Sequence, residues 1–87
     1  MTTDSETVAT DAARILQDRC GMNAHRLGGD IVVFALGADP ATDGWAELAR
    51  FDFEELGESI TLGEYMPSER PVALARAVLR NLASFGI

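Results

Sequence analysis

The stretch "GGDIVVFALG", residues 28–37, decides the fold class of this chain. Its apolar centre, residues 31–36, is short and rich in β-branched and aromatic side chains. It lies between Gly29 and Gly37, a pattern that favours a strand over a helix. Both faces of the predicted strand are apolar. We therefore expect it either to be covered on two sides or to contact a partner chain.

Two more strands are predicted on the C-terminal side of this stretch. Residues 46–53 alternate between apolar and polar side chains, which is the pattern of a half-buried strand. The apolar positions are Ala49, Phe51 and Phe53, and the polar positions are Arg50, Asp52 and Glu54. Residues 60–66 alternate again and predict a third strand. In contrast, residues 21–30 are typical of a loop, in which Gly28 and Gly29 mark a turn.

Amphipathic helices are predicted at both ends of the chain. Thr3 and Glu6 have the spacing of a capping box, so the first helix should begin near residue 4 and end at Cys20. Ser68 is the predicted N-cap of the second helix, which Gly86 closes. These elements predict a single α+β domain over residues 1–87, in the order α-β-β-β-α. Its three-stranded antiparallel meander is expected to pack against the two helices.

The predicted order of elements is similar to that of double-stranded-RNA-binding domains, and the similarity covers nearly the whole chain. Those domains hold phosphate with a lysine-rich start of their second helix. The matching residues here, 67–76, read "PSERPVALAR" and contain no lysine. The resemblance therefore implies a shared topology without RNA binding.

The charge of the chain is strongly acidic and unevenly distributed. Its 87 residues include 14 acidic and 7 basic side chains, a net charge of −7, and every basic residue is arginine. Residues 39–69 carry nine acidic residues and one basic residue, Arg50. Such a surface repels phosphate, which disfavours direct nucleic-acid binding and attachment to anionic membranes. Acidic charge also keeps a small protein in solution, and this simpler role stays open.

The sequence predicts a cytoplasmic protein. The longest apolar run is far shorter than the roughly 20 residues of a membrane-spanning helix. The N-terminal residues "MTTDSET" are acidic where a signal peptide is basic. The single cysteine, Cys20, cannot form an internal disulfide, which is typical of a reducing compartment.

Candidate catalytic and metal-binding groups are few. His25 is the only histidine, and Cys20 is expected in the buried stripe of the first helix, where a thiol is unreactive. Residues 39–44 resemble a calcium-binding loop only in part, because the third position is alanine. Asp52 and Glu54 are expected on one exposed strand face, about 6.5–7 Å apart, without the pocket that acid–base catalysis needs. We therefore expect no catalytic residue, metal or cofactor.

These properties favour binding over catalysis. We expect a non-enzymatic, acidic protein-binding module, a small inhibitor or adaptor that docks on a basic surface of a protein partner. Its expected partner-binding residues are Asp52, Glu54, Glu55, Glu58, Glu64 and Trp45. One version is nucleic-acid mimicry, since the chain resembles phage anti-defence and anti-CRISPR-type inhibitors in size, charge and lack of motifs.

Two alternative functions and one structural question stay open. The first alternative is a small acidic dimeric chaperone or assembly factor, similar in size and charge to secretion chaperones. It would form a homodimer through residues 31–36 or through the C-terminal helix. The second, from another class, is a small enzyme that uses His25 with a carboxylate. Trp45 is expected either in the core or exposed as an interface anchor.

Overall fold

A three-stranded antiparallel sheet, with helices packed on one of its faces, forms the framework of the chain. The computed structural model describes residues 5–84. Its helices are α1 (Ser5–Cys20), α2 (Phe53–Ser59) and α3 (Arg70–Ser84), and its strands are β1 (Asn23–Leu27), β2 (Asp30–Phe34) and β3 (Glu47–Asp52). Short 3-10 turns lie at Gly44–Ala46, Leu62–Glu64 and Pro67–Glu69. The predicted α+β class and the α-β-β-β-α order are confirmed, with the short helix α2 as an addition between β3 and α3.

β1 and β2 form a tight hairpin. Their register leaves only Gly28 and Gly29 in the loop. Gly28 has a φ of +60°, which glycine adopts without strain and which two-residue hairpin loops require. The predicted turn at Gly28 and Gly29 is therefore confirmed, whereas the prediction of a loop over the rest of residues 21–30 is wrong, because residues 23–27 form β1. The sequence does not predict β1, because this strand buries only Ala24 and therefore has almost no apolar pattern.

β2 is the central strand of the sheet, between β1 and β3. Ile31 and Val33 belong to the core under the helices. Val32 is buried on the opposite face, where His25 and Arg50 are its cross-strand neighbours. The strand is thus covered on both faces, which was one of the two predicted alternatives. Because each of its edges is paired within residues 5–84, β2 offers no free edge to another chain.

Helices α1 and α3 pack against each other and close a single core over the sheet. The core residues are Val8, Ala9, Ala12, Leu16, Ala24, Ile31, Val33, Ala49, Phe53, Leu74, Ala75, Val78 and Leu82. The predicted apolar stripe of the C-terminal helix is confirmed at Leu74, Ala75, Val78 and Leu82. It is wrong at Leu79, which is exposed, and its last predicted member, Phe85, lies outside the described residues. Arg76 and Arg80 are exposed on the other side of the helix. Within residues 5–84, every buried side chain is apolar.

The third strand predicted over residues 60–66 is wrong. Thr61 adopts the left-handed conformation, with a φ of +49°, and a 3-10 turn follows at Leu62–Glu64. Leu62 packs on the core from this turn. The alternation of apolar residues therefore reflects a compact segment with one inward side chain. Arg70 holds the segment in place, because its guanidinium donates hydrogen bonds to the carbonyl oxygens of Tyr65 (3.1 Å) and Gly63 (3.2 Å).

The helix ends differ from the prediction in two places. Ser68 lies inside the 3-10 turn Pro67–Glu69, which continues directly into α3, so it is not the N-cap of that helix. Cys20 is exposed at the last position of α1 instead of buried in its stripe. The predicted caps Thr3 and Gly86 lie outside the described residues. Among residues 5–84, no helix has both the length and the apolar character needed to cross a bilayer.

Candidate functional site

The acidic stretch begins where β3 becomes α2. Asp52 is the last residue of β3, and its Oδ1 atom accepts hydrogen bonds from the backbone N–H groups of Glu54 (3.0 Å) and Glu55 (3.2 Å). These bonds satisfy donors that a helix start leaves free, so Asp52 is the N-cap of α2. The prediction that Asp52 and Glu54 share one exposed strand face is wrong, because Glu54 belongs to the helix.

The seven residues of α2 separate apolar from acidic side chains. Phe53 and Gly57 are buried, four residues apart and therefore on the same side of the helix. Glu54, Glu55 and Glu58 are exposed. Acidic residues in the first turn are also favoured by the positive end of the helix dipole. The sequence therefore has a local physical reason to form a helix here instead of a hairpin.

A groove with an apolar lining lies between α2 and the turn Leu62–Glu64. Its lining is almost wholly apolar, and its buried or half-buried part consists of Phe53, Gly57 and Leu62. Three exposed acidic residues, Glu54, Glu58 and Glu64, also line it. Its volume is about 460 Å³, and it is open to solvent. We call this feature the acidic groove. A positive group placed in it would contact apolar surface and lie near negative charge.

Gly57 allows the two walls of the acidic groove to approach each other. A Cβ atom at this position would lie 3.3 Å from Cδ2 and 3.6 Å from Cβ of Leu62. The first distance is tighter than a normal van der Waals contact. Glycine therefore lets the side chain of Leu62 lie directly against α2.

The structure divides the six predicted partner-binding residues into three groups. Glu54, Glu58 and Glu64 line the acidic groove. Asp52 and Glu55 line a separate shallow hollow on another side of α2. Trp45 lies beyond the opposite end of β3, about 20 Å away at the usual rise per strand residue. Trp45 therefore lies apart from the five acidic residues.

Trp45 is 85% exposed, so its interpretation as a core residue is wrong. In the 3-10 turn Gly44–Ala46, the buried residue is Ala46, whose carbonyl oxygen accepts a hydrogen bond from the N–H of Ala35 (2.9 Å). Two apolar side chains of the same end of the sheet, Leu36 and Leu48, are also exposed. The pattern of the sequence does not reveal their exposure, because it places Leu36 in the predicted strand 31–36 and Leu48 in the alternating strand 46–53.

The one arginine of the acidic segment does not reach the acidic groove. Arg50 donates hydrogen bonds to Asp30 (2.8 Å) and to Glu47 (2.9 Å) across the sheet surface. The hydrogen bond from Arg50 lowers the pKa of Glu47, and the bonds to Glu47 and Asp30 raise the pKa of Arg50. No basic residue lines the acidic groove among the residues that the structure describes, although the guanidinium of Arg70 donates a hydrogen bond to the carbonyl oxygen of the lining residue Gly63 (3.2 Å).

His25 belongs to a hydrogen-bond network that anchors a loop. Asn23 donates from Nδ2 to the carbonyl oxygens of Ala35 (2.9 Å) and Ala38 (2.8 Å). Its Oδ1 atom therefore accepts from Nε2 of His25, at 2.6 Å. The other ring nitrogen of His25 lies 3.5 Å from the amide nitrogen of Gln17. These neighbours are amides, whereas the enzyme alternative requires a carboxylate beside the imidazole.

The two carboxylates of the segment that partly resembles a calcium-binding loop, Asp39 and Asp43, accept hydrogen bonds from backbone N–H groups of the same turn. Asp39 accepts a hydrogen bond from the N–H of Ala41 (2.9 Å), and Asp43 accepts one from the N–H of Asp39 (3.0 Å). Within residues 5–84, no group of three or more histidine, cysteine, aspartate or glutamate side chains could hold a metal ion. The acidic groove is therefore the feature that we select as the candidate functional site.

The acidic groove is suited to an arginine or lysine side chain. Both residues combine an aliphatic stem, which can lie on Phe53 and Leu62, with a charged end that can reach the exposed glutamates. A signal for its helical wall exists in the sequence, since Asp52 followed by Glu55 three residues later is typical of a helix start.

Comparison of the chain with protein-family models, with curated proteins and with solved structures finds no match.

Proposed function

We propose that this protein is a non-enzymatic binding module that docks its acidic groove on a basic surface of a protein partner. The observation that carries the proposal is the combination of an apolar lining with three exposed glutamates, Glu54, Glu58 and Glu64, at the same groove. The apolar lining provides area to bury, and the glutamates provide charge that selects a cationic occupant. In this role the protein acts as a small inhibitor or adaptor.

The charge distribution supports the same function at longer range. Residues 39–69 carry nine acidic residues, and their one arginine is engaged by Asp30 and Glu47. A negative field of this kind steers a positively charged partner toward the groove and increases the association rate. The mechanism is steric occlusion of the partner's basic surface. If that surface normally binds nucleic acid, the protein acts as a nucleic-acid mimic.

The proposed function also has consequences for cofactors, for other ligands and for cellular location. It requires no cofactor and no direct contact with nucleic acid or membrane, since the groove attracts cations. We infer a cytoplasmic, reducing location from the lone Cys20, which has no second cysteine to pair with.

The test compares two variants with the same change in net charge. The first replaces Glu54, Glu58 and Glu64 by glutamine, and the matched control replaces Asp18, Glu55 and Glu69 by their amides. A partner captured from cell extract with the wild type should be lost by the first variant and retained by the control. The wild-type affinity should fall as salt increases, because screening weakens the charge interaction. Equal loss in both variants, or affinity independent of salt, would contradict the proposal.

A second candidate function follows from the exposed apolar side chains at the other end of the sheet. Leu36 is 78% exposed and Leu48 is 50% exposed, and Trp45, in the turn before β3, is also exposed. Such side chains are common in protein interfaces, and they favour the dimeric assembly-factor alternative. The two surfaces expected to form a homodimer are already used within the chain, because β2 pairs with β1 and β3 and the buried residues of α3 belong to the core. A strict monomer in light scattering at about 100 μM, far above a micromolar Kd, would exclude this candidate.

A further inference from the structure

A second hollow, between α1 and β1, has the opposite electrostatic character to the acidic groove. Its polar lining consists of Thr10, Arg14, Gln17, His25 and Arg26, and no carboxylate lines it. Its volume is about 330 Å³. We call it the basic hollow. Two arginines without a lining acid are unexpected in a chain with twice as many acidic as basic residues.

The guanidinium group of Arg26 is held in a fixed orientation. Its Nε atom donates to Oγ1 of Thr10 (2.9 Å), and Nη1 donates to the carbonyl oxygen of Gly28 (2.9 Å). Among residues 5–84, the second terminal nitrogen of Arg26 has no hydrogen-bond partner. Because the guanidinium is already ordered, a ligand that binds it loses less conformational entropy than with a mobile arginine.

Arg14 supplies the second positive charge from α1. It lies four residues after Thr10, on the same side of the helix, and lines the same hollow. Its carboxylate neighbour is Asp11, at 3.9 Å, and both side chains of this pair are largely exposed. An exposed pair at this distance is weak, so an anion can compete with Asp11 for Arg14.

We propose that the basic hollow binds a small oxyanion, with phosphate preferred over carboxylate, between Arg14 and Arg26. Phosphate offers more oxygen acceptors and more charge than a carboxylate, and arginine donates paired hydrogen bonds to such groups. The hydroxyl of Thr10 accepts from Arg26 and keeps its own proton available to donate. The net charge of the chain repels anions generally, so binding must depend on these two side chains.

The experiment is an NMR titration with inorganic phosphate, beside acetate and chloride titrations at equal ionic strength. Backbone signals of residues 10, 14 and 26 and the Nε–H signal of Arg26 should shift saturably with phosphate. They should shift less with acetate and little with chloride. Similar shifts with all three salts, or phosphate shifts of the same size at Arg76 and Arg80, would overturn the proposal.

Three variants separate a binding site from a structural role of Arg26. Arg26→Gln should abolish saturable binding, but it also removes the bond to Thr10. Arg14→Gln keeps that bond and should weaken phosphate binding by about threefold or more. Asp11→Asn removes the competing carboxylate and should strengthen it. The control Arg76→Gln, on α3, should bind as the wild type does, and unchanged affinity in Arg14→Gln would refute the assignment.

Discussion

The carboxylate of Asp52 accepts a hydrogen bond from the backbone N–H of Glu54 at 3.0 Å, and this contact marks the point at which β3 becomes α2. The same oxygen accepts from Glu55 at 3.2 Å. One side chain therefore ends the extended backbone and starts the helix that forms a wall of the acidic groove. The stability of α2 should depend on this residue more than on the exposed carboxylates beside it.

Substitution of Asp52 tests this dependence. Asp52→Ala should lower the free energy of unfolding by about 1 kcal/mol, because two backbone donors lose their acceptor. Asp52→Asn should retain most of the stability, since asparagine is an equally good N-cap. Urea denaturation followed by circular dichroism measures both. Equal stability of the alanine and asparagine variants would show that the cap contributes nothing.

The hairpin loop provides a matched pair of glycines. Gly28 has a φ of +60°, whereas Gly29 does not have a positive φ, and an added Cβ would meet no atom within 4 Å at either site. Gly28→Ala should destabilise the fold by about 1–2 kcal/mol through backbone strain. Gly29→Ala should be neutral or slightly stabilising. Thermal unfolding of both variants gives the comparison, and equal melting temperatures would contradict the assigned turn geometry.

Two leucines of α3 separate core packing from surface exposure. Leu74 is 1% exposed and Leu79 is 36% exposed. Leu74→Ala should lower the free energy of unfolding by about 2–5 kcal/mol, because it leaves a cavity in the core. Leu79→Ala should cost clearly less. Chemical denaturation measures the difference, and similar losses in the two variants would mean that the helix face is wrongly assigned.

Trp45 offers a spectroscopic test of the exposed end of the sheet. It is the only tryptophan of the chain, so its fluorescence reports one site. The emission maximum of the native protein should already be close to that of the unfolded protein, and acrylamide should quench it efficiently. Trp45→Ala should change stability by less than about 0.5 kcal/mol. A blue-shifted native emission would show that Trp45 is buried, alone or in an oligomer.

The ion pairs of Arg50 predict a small pH dependence. Arg50 lowers the pKa of Glu47, so this glutamate binds protons less readily in the folded than in the unfolded chain. The stabilisation is present above the unfolded pKa and is lost as pH falls through the folded pKa. The urea midpoint of the wild type should therefore fall more between about pH 6 and pH 3 than that of Arg50→Gln. Arg76→Gln, with the same charge change, should behave like the wild type.

The parts of the fold that depend on periodicity could be predicted from the sequence. The stripe of α3 and the buried strand β2 each bury several apolar residues at regular spacing, so their patterns are strong. β1 has one buried residue and is held by backbone pairing through a two-glycine loop. Pairing of this kind depends on the turn and on the neighbouring strand, and side-chain pattern alone does not reveal it.

The acidic groove was predictable only in its charges. The density of acidic residues in the sequence predicts Glu54, Glu58 and Glu64 as partner-binding residues, and this role stays a prediction. These residues line one groove because residues 53–59 form the helix α2, whereas the sequence pattern predicts a strand that includes Phe53. The alternation of Phe51 and Phe53 favours the strand. Asp52 instead acts as an N-cap, and its two hydrogen bonds to backbone N–H groups start the helix after residue 52. Charge can be counted in a sequence, but its distribution over surfaces follows from such local decisions.

The two bonds from Arg70 to the carbonyl oxygens of Gly63 and Tyr65 have a consequence for specificity. They attach the wall that carries Leu62 and Glu64 to the start of α3, whereas the opposite wall is the helix α2 itself. One wall of the acidic groove is therefore the helix α2, and the position of the other wall depends on Arg70, which does not itself line the groove. If the acidic groove binds a cationic side chain as proposed, a change at Arg70 alters which side chain fits, although Glu54, Glu58 and Glu64 all remain.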